Sequence, residues 1–150
     1  MGAYQTVVVG TDGSDSSYRA VDRAAGIARD TAATLVIVSA YVPATRREVA
    51  MAEDVLGDEA YAVAGSAPAE ETLRTAAERA ASRGAAKIER VAIEGEPVKA
   101  LIGTVQAHDA DLLVVGNRGL NTLAGRVLGS VPAAVSHRSP CDVLIVHTVR

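Results

Sequence analysis

The segment Val7–Ser17, with the sequence VVVGTDGSDSS, decides the fold class because it passes from an apolar run into a polar loop that contains glycine. The three valines at its start are typical of a strand that is covered on both faces, as the strands of parallel sheets are. Residues 16–29, which follow the loop, carry small and aliphatic side chains at helical spacing. The segment therefore predicts a strand, a loop and a helix, which is the first unit of an α/β fold.

The same alternation continues along the rest of the chain. It predicts a single doubly wound α/β domain over residues 1–150, with a parallel sheet, helices on both faces and right-handed crossovers. A short helical pattern also begins at Ser130, with Pro132 in its permissive first turn. The predicted strands are 4–10, 34–41, 87–93, 111–116 and 142–148, and the other predicted helices are 16–29, 69–83 and 97–107.

Composition and charge exclude several classes of protein. The chain is 49% hydrophobic but has no Trp and no Phe, so its core must be built from Val, Ile, Leu and Ala. A formal charge of −3 and the lack of any basic run argue against a nucleic acid partner. Cys141 is the single cysteine, and neither a secretory leader nor an apolar run of membrane-spanning length is present. We therefore expect a cytoplasmic protein with no internal disulfide and no membrane partner.

The loop TDGSDSS at 11–17 has three interpretations: a phosphate cradle, a metal site or a helix cap. Phosphate cradles use glycine so that backbone amides can approach the anion, and the carboxylate of Asp12 would repel a phosphate. Asp12 instead suits a Mg²⁺ ion that bridges to phosphates, or a hydrogen bond from a sugar hydroxyl or a base. Asp12, Ser14 and Ser16 are also good turn and cap residues for the following helix, so both of these interpretations stay open.

A second loop follows the fourth predicted strand and carries the spacing Gly116-x2-Gly119-x9-Gly129-Ser130. Backbone amides near the first two glycines and at the start of the last helix could converge on a diphosphate or triphosphate, and Arg118 adds positive charge. If the first and fourth strands are neighbours, both loops border one crevice at the carboxyl ends of the strands. The sequence therefore predicts a nucleotide site there.

With these motifs the chain resembles the universal stress protein family over essentially all of its length. The resemblance implies a five-stranded parallel sheet of order 3-2-1-4-5, and the glycine spacing implies the ATP-binding subgroup of the family. It further implies that Thr11 and Asp12 lie near the base and the ribose or a metal ion, and that Ala40 and Val115 flank the adenine. The residues that it implies around the ribose and phosphates are Gly116, Arg118, Gly119, Gly129, Ser130 and Val131.

Two positions depart from the family pattern. Gly10 stands where many members have a bulkier residue such as Pro or Val, which predicts open space beside the ligand. Our hypothesis is that this space lets cyclic AMP compete with ATP. Cys141 and Asp142 stand where the family commonly has Cys-Pro, and for Cys141 a small buried residue at a strand start is favoured over a redox sensor.

The sequence favours ligand binding over catalysis. No nucleophile, base and orienting group occur together in any loop, and His108 and His137 fall near helix C-termini, where a partly charged imidazole is favourable. We therefore assign no catalytic residue and predict an adenine-nucleotide-binding regulatory protein of the stress response, at most a weak ATPase. The alternative is a slow ATPase or an adenylyl-transferring enzyme related to ATP pyrophosphatases. A partner-binding protein with an empty crevice is disfavoured, because its glycines would weaken the fold without benefit.

Two further features concern the surface. The connection 43–66 is much longer than usual in an α/β unit, and it is either a surface excursion with local helix or a lid over the site. The last strand is an edge in the implied order, yet VLIV at 143–146 is apolar throughout. An uncovered apolar edge favours pairing with another chain, which predicts a symmetric homodimer through 142–148, in keeping with the family.

Overall fold

The computed structural model describes residues 2–42, 62–64, 66–117 and 130–148. Apart from one additional short strand at Ala62–Ala64, strands and helices alternate along these residues as the sequence predicts. The strands are β1 (Thr6–Gly10), β2 (Thr34–Val42), β3 (Ala62–Ala64), β4 (Lys87–Glu94), β5 (Leu112–Gly116) and β6 (Asp142–Val146). The helices are α1 (Asp15–Thr31), α2 (Ser66–Ser82), α3 (Pro97–Ala107) and α4 (Ser130–Arg138).

The five long strands form one parallel sheet with β1 at its centre. Val8 of β1 lies opposite Val36 of β2 and Leu113 of β5. β4 pairs with the other side of β2, and β6 pairs with β5. The order of the long strands is therefore β4-β2-β1-β5-β6, which confirms the predicted 3-2-1-4-5 topology.

Helices cover both faces of this sheet, also as predicted. Successive side chains of a strand point to opposite faces, so Val7 and Val9 pack with α1 and α2, whereas Val8 packs with α3 and α4. The face covered by α1 and α2 is rich in alanine, and these small side chains allow helices to approach the sheet closely. The alanines with at most 1% exposure there are Ala20, Ala24, Ala25, Ala28, Ala76 and Ala80.

The ends of the elements follow from local chemistry. Gly84 lies just past α2 at φ +102°, a left-handed conformation that favours glycine. Helix α3 has the predicted bounds, with Pro97 at its start. The last strand was predicted to reach residue 148 but ends at Val146, because the backbone amide of Thr148 donates to the side chain of Asn117, 3.0 Å away.

Strand β3 is an element that the sequence analysis did not predict. It lies within the 43–66 connection and pairs in parallel with the end of β2, with Ala62 opposite Ala40. Because β4 occupies one edge of β2 up to Tyr41, β3 must lie on the β1 side, beyond the carboxyl end of β1. The helical pattern expected earlier in the connection falls outside the described residues, and both interpretations of the connection, a surface excursion and a lid, stay predictions.

Ionic contacts join the two helices of one face. Asp22 of α1 accepts hydrogen bonds from Arg79 and Arg83, at the C-terminal end of α2 and just beyond it, at 2.6 and 3.2 Å. The guanidinium group of Arg79 also lies 5.1 Å from the ring centre of Tyr18, close enough for a cation–π contact. None of the described helices has the length and apolar character needed to cross a membrane.

Candidate functional site

The carboxyl end of β1 is a topological switch point. From β1 the chain passes to α1 on one face, and beyond β5 the next described helix is α4 on the opposite face. Ligands of open α/β sheets bind in the crevice that such divergent connections leave. The two loops singled out from the sequence begin at this place, after Gly10 and after Gly116.

Backbone amides of the first loop donate hydrogen bonds to side chains of the same loop. Asp12 N donates to Ser17 Oγ at 3.3 Å, and Gly13 N donates to Thr11 Oγ1 at 3.1 Å. Ser14 N donates to Asp12 Oδ1 at 2.9 Å. Three consecutive amides are thus already paired, so this loop is not built as a phosphate cradle.

The helix-cap interpretation of this loop is correct for Ser14. Its Oγ accepts from Ser17 N at 3.1 Å, and its extended backbone is that of an N-cap residue. Ser17 Oγ lies 2.7 Å from Thr11 Oγ1, which ties the cap to the end of β1. Asp12 precedes the cap, is half-buried, and has one carboxylate oxygen, Oδ2, with no hydrogen bond to the described residues. That oxygen is available to a ligand.

A metal site at Asp12 stays a prediction. Among the residues that the structure describes, no three His, Cys, Asp or Glu side chains are grouped so as to hold a metal ion. Mg²⁺, however, is commonly held by one or two carboxylates together with phosphates of a substrate. Asp12 therefore fits a metal that arrives with a phosphorylated ligand better than a permanently bound ion.

A small apolar hollow of about 10 Å³, room for roughly one water molecule, lies at Thr11, the residue before Asp12, on the face of the sheet that α3 and α4 cover. Ala40 at the end of β2 lines it and is 5% exposed. Val115, the other predicted neighbour of adenine, is buried on the same face. The contribution of α3, the predicted helix 97–107, to this hollow was not predicted from the sequence. The residues that line the hollow are Gly10, Thr11, Val38, Ala40, Pro97, Ala100 and Leu101.

The predicted open space at Gly10 is wrong. A Cβ atom on Gly10 would lie 2.8 Å from Leu101 Cδ2, closer than real Cβ contacts. Leu101 packs into the place that the missing side chain leaves, because α3 lies against this end of β1. The absence of a side chain at Gly10 therefore makes room for Leu101. Gly10 affects the shape of the hollow mainly by allowing Leu101 to pack there.

The second loop is described only at its two ends. Gly116 is buried at the end of β5, Ser130 is exposed as the first residue of α4, and Val131 is 6% exposed. Arg118, Gly119 and Gly129 lie outside the described residues, so the predicted convergence of this loop on phosphates stays a prediction.

Asn117 anchors the start of the second loop, a role that was not predicted from the sequence. Its backbone amide donates to Val146 O at 2.9 Å, which extends the pairing of β5 with β6. Its side-chain Oδ1 accepts from both the backbone amide and the hydroxyl of Thr148, each at 3.0 Å. The one sequence feature that could have indicated this role is the position of Asn117 directly after Gly116, in the GNRG sequence.

Four further titratable residues lie near the ends of helices or strands. Burial raises the pKa of Tyr18, and the charge of Asp12 acts in the same direction, so Tyr18 is a neutral phenol near the first loop. His108 is the C-cap residue of α3, and His137 lies in the last turn of α4, as predicted. Cys141 precedes β6 and is half-buried, less than the sequence analysis expected.

Known proteins are similar to this chain along almost its whole length. A family model described as the universal stress protein family matches residues 3–147. Universal stress protein Rv1636 of Mycobacterium tuberculosis is 60% identical over 148 residues, which cover 99% of each chain.

Solved structures agree with the observed fold. A crystal structure of a universal stress protein in complex with cAMP is 50% identical, with a TM-score of 0.76, and the match covers 99% of this chain and 100% of that one. Universal stress protein UspA from Lactobacillus plantarum has the same fold at 23% identity, with a TM-score of 0.74 and coverage of 97% and 99%.

Proposed function

Because the chain belongs to the universal stress protein family, we propose that it is an adenine-nucleotide-binding regulatory protein of the stress response. It acts by binding ATP or cyclic AMP rather than by converting it. The observation that carries this proposal is the carboxylate oxygen Oδ2 of Asp12, which has no hydrogen bond to the described residues and lies in the loop at the switch point of the sheet.

The proposed binding mode assigns one end of the nucleotide to each loop. The adenine lies against Ala40 and Val115, where the small hollow must widen to admit it, and Asp12 accepts a hydrogen bond from the ribose or holds Mg²⁺. The internal pairing of the first-loop amides supports a phosphate position elsewhere. The proposed contacts of the ribose and phosphates are with Gly116, Arg118, Gly119, Gly129, Ser130 and Val131.

Cyclic AMP and ATP are both candidate ligands. The relative that is 50% identical was crystallised with cAMP, which supports a compact cyclic nucleotide. The glycine spacing Gly116-x2-Gly119-x9-Gly129-Ser130 supports the triphosphate, because several bare amides can approach an extended anion.

The first experiment is to denature freshly purified protein and identify any released small molecule by mass. The chain has four Tyr and no Trp, so a bound adenine would also be conspicuous in the ultraviolet spectrum of the native protein. Calorimetric titration with ATP and with cyclic AMP then gives both dissociation constants. Absence of any adenine compound, together with no binding of either nucleotide at millimolar concentration, would overturn the proposal.

Titrations with and without magnesium distinguish the two proposed roles of Asp12, which are metal binding and ribose binding. In Asp12→Asn the side-chain oxygen can still accept from Ser14 N, so the turn is kept while the charge is removed. If Asp12 holds a metal ion, the substitution weakens ATP binding only in the presence of Mg²⁺. If Asp12 binds the ribose, the loss is about tenfold with and without Mg²⁺, as for one hydrogen bond to a charged group.

Turnover is the competing function. Steady release of phosphate or pyrophosphate that Asp12→Ala abolishes, while nucleotide binding is retained, would favour a slow ATPase or an adenylyl-transferring enzyme. We expect no such release above the rate of the buffer alone.

The proposal also covers the cellular location and the oligomeric state of the protein. We propose that it acts in the cytoplasm as a homodimer formed through β6, without a nucleic acid or membrane partner. Val143, Leu144 and Ile145 are half-buried along this strand, which has no partner on its outer edge among the described residues.

A further inference from the structure

The chain beyond β6 returns to the candidate site at Thr148. This residue is 3% exposed. Its hydroxyl lies 3.0 Å from Asn117 Oδ1 and 2.5 Å from Ser16 Oγ. Its carbonyl oxygen accepts from Arg19 Nη1 at 2.6 Å. A single buried threonine thus contacts the end of β5 and the first two turns of α1.

The proton positions in this cluster follow from the chemistry of the groups. Asn117 Oδ1 is identified as the oxygen because the backbone amide of Thr148 donates to it. The Thr148 hydroxyl must donate to that oxygen, since a carbonyl only accepts. Its own oxygen then accepts from the hydroxyl of Ser16. The order is a directed chain from Ser16 through Thr148 to Asn117.

This chain joins the two loops of the candidate site. Ser16 lies in the first turn of α1, directly after the turn that presents Asp12. Asn117 directly follows Gly116, where the second loop begins. Among the described residues, Thr148 is the side chain whose hydrogen bonds reach both loops.

We propose that Thr148 is a positioning residue of the nucleotide site. Its hydroxyl sets the distance between the loop that carries Asp12 and the loop that begins at Gly116, so that one ligand can contact both. This inference rests on the proposed function. Loss of the hydroxyl leaves Ser16 without this partner and lets Ser16 and Asn117 move apart.

The test compares Thr148→Val, which keeps the shape but removes the hydroxyl, with Thr148→Ser, which keeps the hydroxyl. Calorimetric titration with ATP and with cyclic AMP is expected to show about a fivefold loss of affinity for the valine variant, the equivalent of one net hydrogen bond. The serine variant is expected to restore affinity to within about twofold of the wild type.

A matched control separates positioning from general stability. Thr31 is a half-buried threonine at the far end of α1, where its hydroxyl donates to Ile27 O at 2.8 Å. Thr31→Val is expected to lower the free energy of unfolding without changing nucleotide affinity.

The outcomes are distinct. Wild-type affinity in Thr148→Val, or a loss that Thr148→Ser does not restore, overturns the inference. If Thr148→Val fails to fold, Ser16→Ala interrupts the same chain of hydrogen bonds at its other end. Wild-type nucleotide affinity in Ser16→Ala would then overturn the inference. Failure of the wild-type protein to bind either nucleotide instead marks the proposed function as wrong, and the inference is rejected with it.

Discussion

At the scale of single residues, hydrogen-bond partners decide what the glycine-containing and serine-containing loops can do. The sequence of the first loop is compatible with a phosphate cradle, but Thr11, Ser14 and Ser17 satisfy its amides and cap the helix. The partner of Thr11 lies six residues along the chain, and a motif does not specify which of several serines turns inward. The sequence therefore indicates which loop follows β1 at the switch point, while the hydrogen-bond partners of its residues required the structure.

Gly10 gives a prediction at this scale. In Gly10→Ala the new Cβ displaces the flexible end of Leu101 into the hollow, which we expect to cost about 1 kcal/mol of unfolding free energy or more. Adenine-nucleotide affinity should fall in parallel, because the displaced leucine occupies the proposed adenine position. Urea unfolding and calorimetric titration measure the two effects.

A glycine of α3 provides the control for this substitution. Gly103 is exposed in α3 and has no atom within 4 Å of a built Cβ. Gly103→Ala should therefore raise stability by about 0.5–1 kcal/mol, from helix propensity alone. A Gly10→Ala variant that is as stable as the wild type, with unchanged affinity, would contradict the packing account.

At the scale of elements, periodicity predicts the long strands and helices well because burial of one face fixes their register. Helix α3 has its predicted bounds, and α1 extends the predicted range by one residue at its start and two at its end. The strand β3 was not predictable, since three residues carry too little periodic signal. Its pairing arises because β2 runs past the end of β1 and leaves residues 40–42 free on that side.

The start of α1 gives a prediction at this scale. Ser14→Ala removes the side-chain acceptor of Ser17 N and should cost about 1 kcal/mol of unfolding free energy. Ser136→Ala is the matched control, because Ser136 is an exposed helical serine whose hydroxyl contacts Ala133 O, and its effect should stay within about 0.5 kcal/mol. Chemical denaturation measures both, and equal losses in the two variants would argue against a structural cap at Ser14.

At the scale of the whole molecule, the two edges of the main sheet differ in character. β4 exposes charged side chains such as Glu89 and Arg90, which discourage pairing with another strand. β6 instead has a central run of half-buried aliphatic side chains, 143–145. The alternation of elements predicts the α/β class, but strand order depends on contacts between distant segments and was available before the structure only through resemblance to a family.

Self-association is the prediction at this scale. We expect the wild type to be a dimer at about 10 μM and Ile145→Lys to be a monomer, because a charge would be buried at the centre of the β6 contact. The long stem of lysine can lie along the apolar surface, so the subunit should stay folded. Light scattering gives the mass, and circular dichroism checks the fold.

A substitution on β4, at the opposite edge of the sheet, is the control for Ile145→Lys. Arg90→Glu on β4 should leave the mass of the dimer unchanged. Dimers that persist in Ile145→Lys, or that dissociate in Arg90→Glu, would place the contact elsewhere.

The pairing of Ala62 with Ala40 means that the segment 43–61 leaves β2 and comes back to the same strand. The residues that flank it, Val42 and Ala62, belong to paired strands, so we expect extra residues added between them to leave this pairing unaltered. The entropy of closing such a loop rises slowly, by about 0.6 kcal/mol for each doubling of its length. By this estimate, we expect a peptide or reporter domain inserted in this connection to cost little folding free energy.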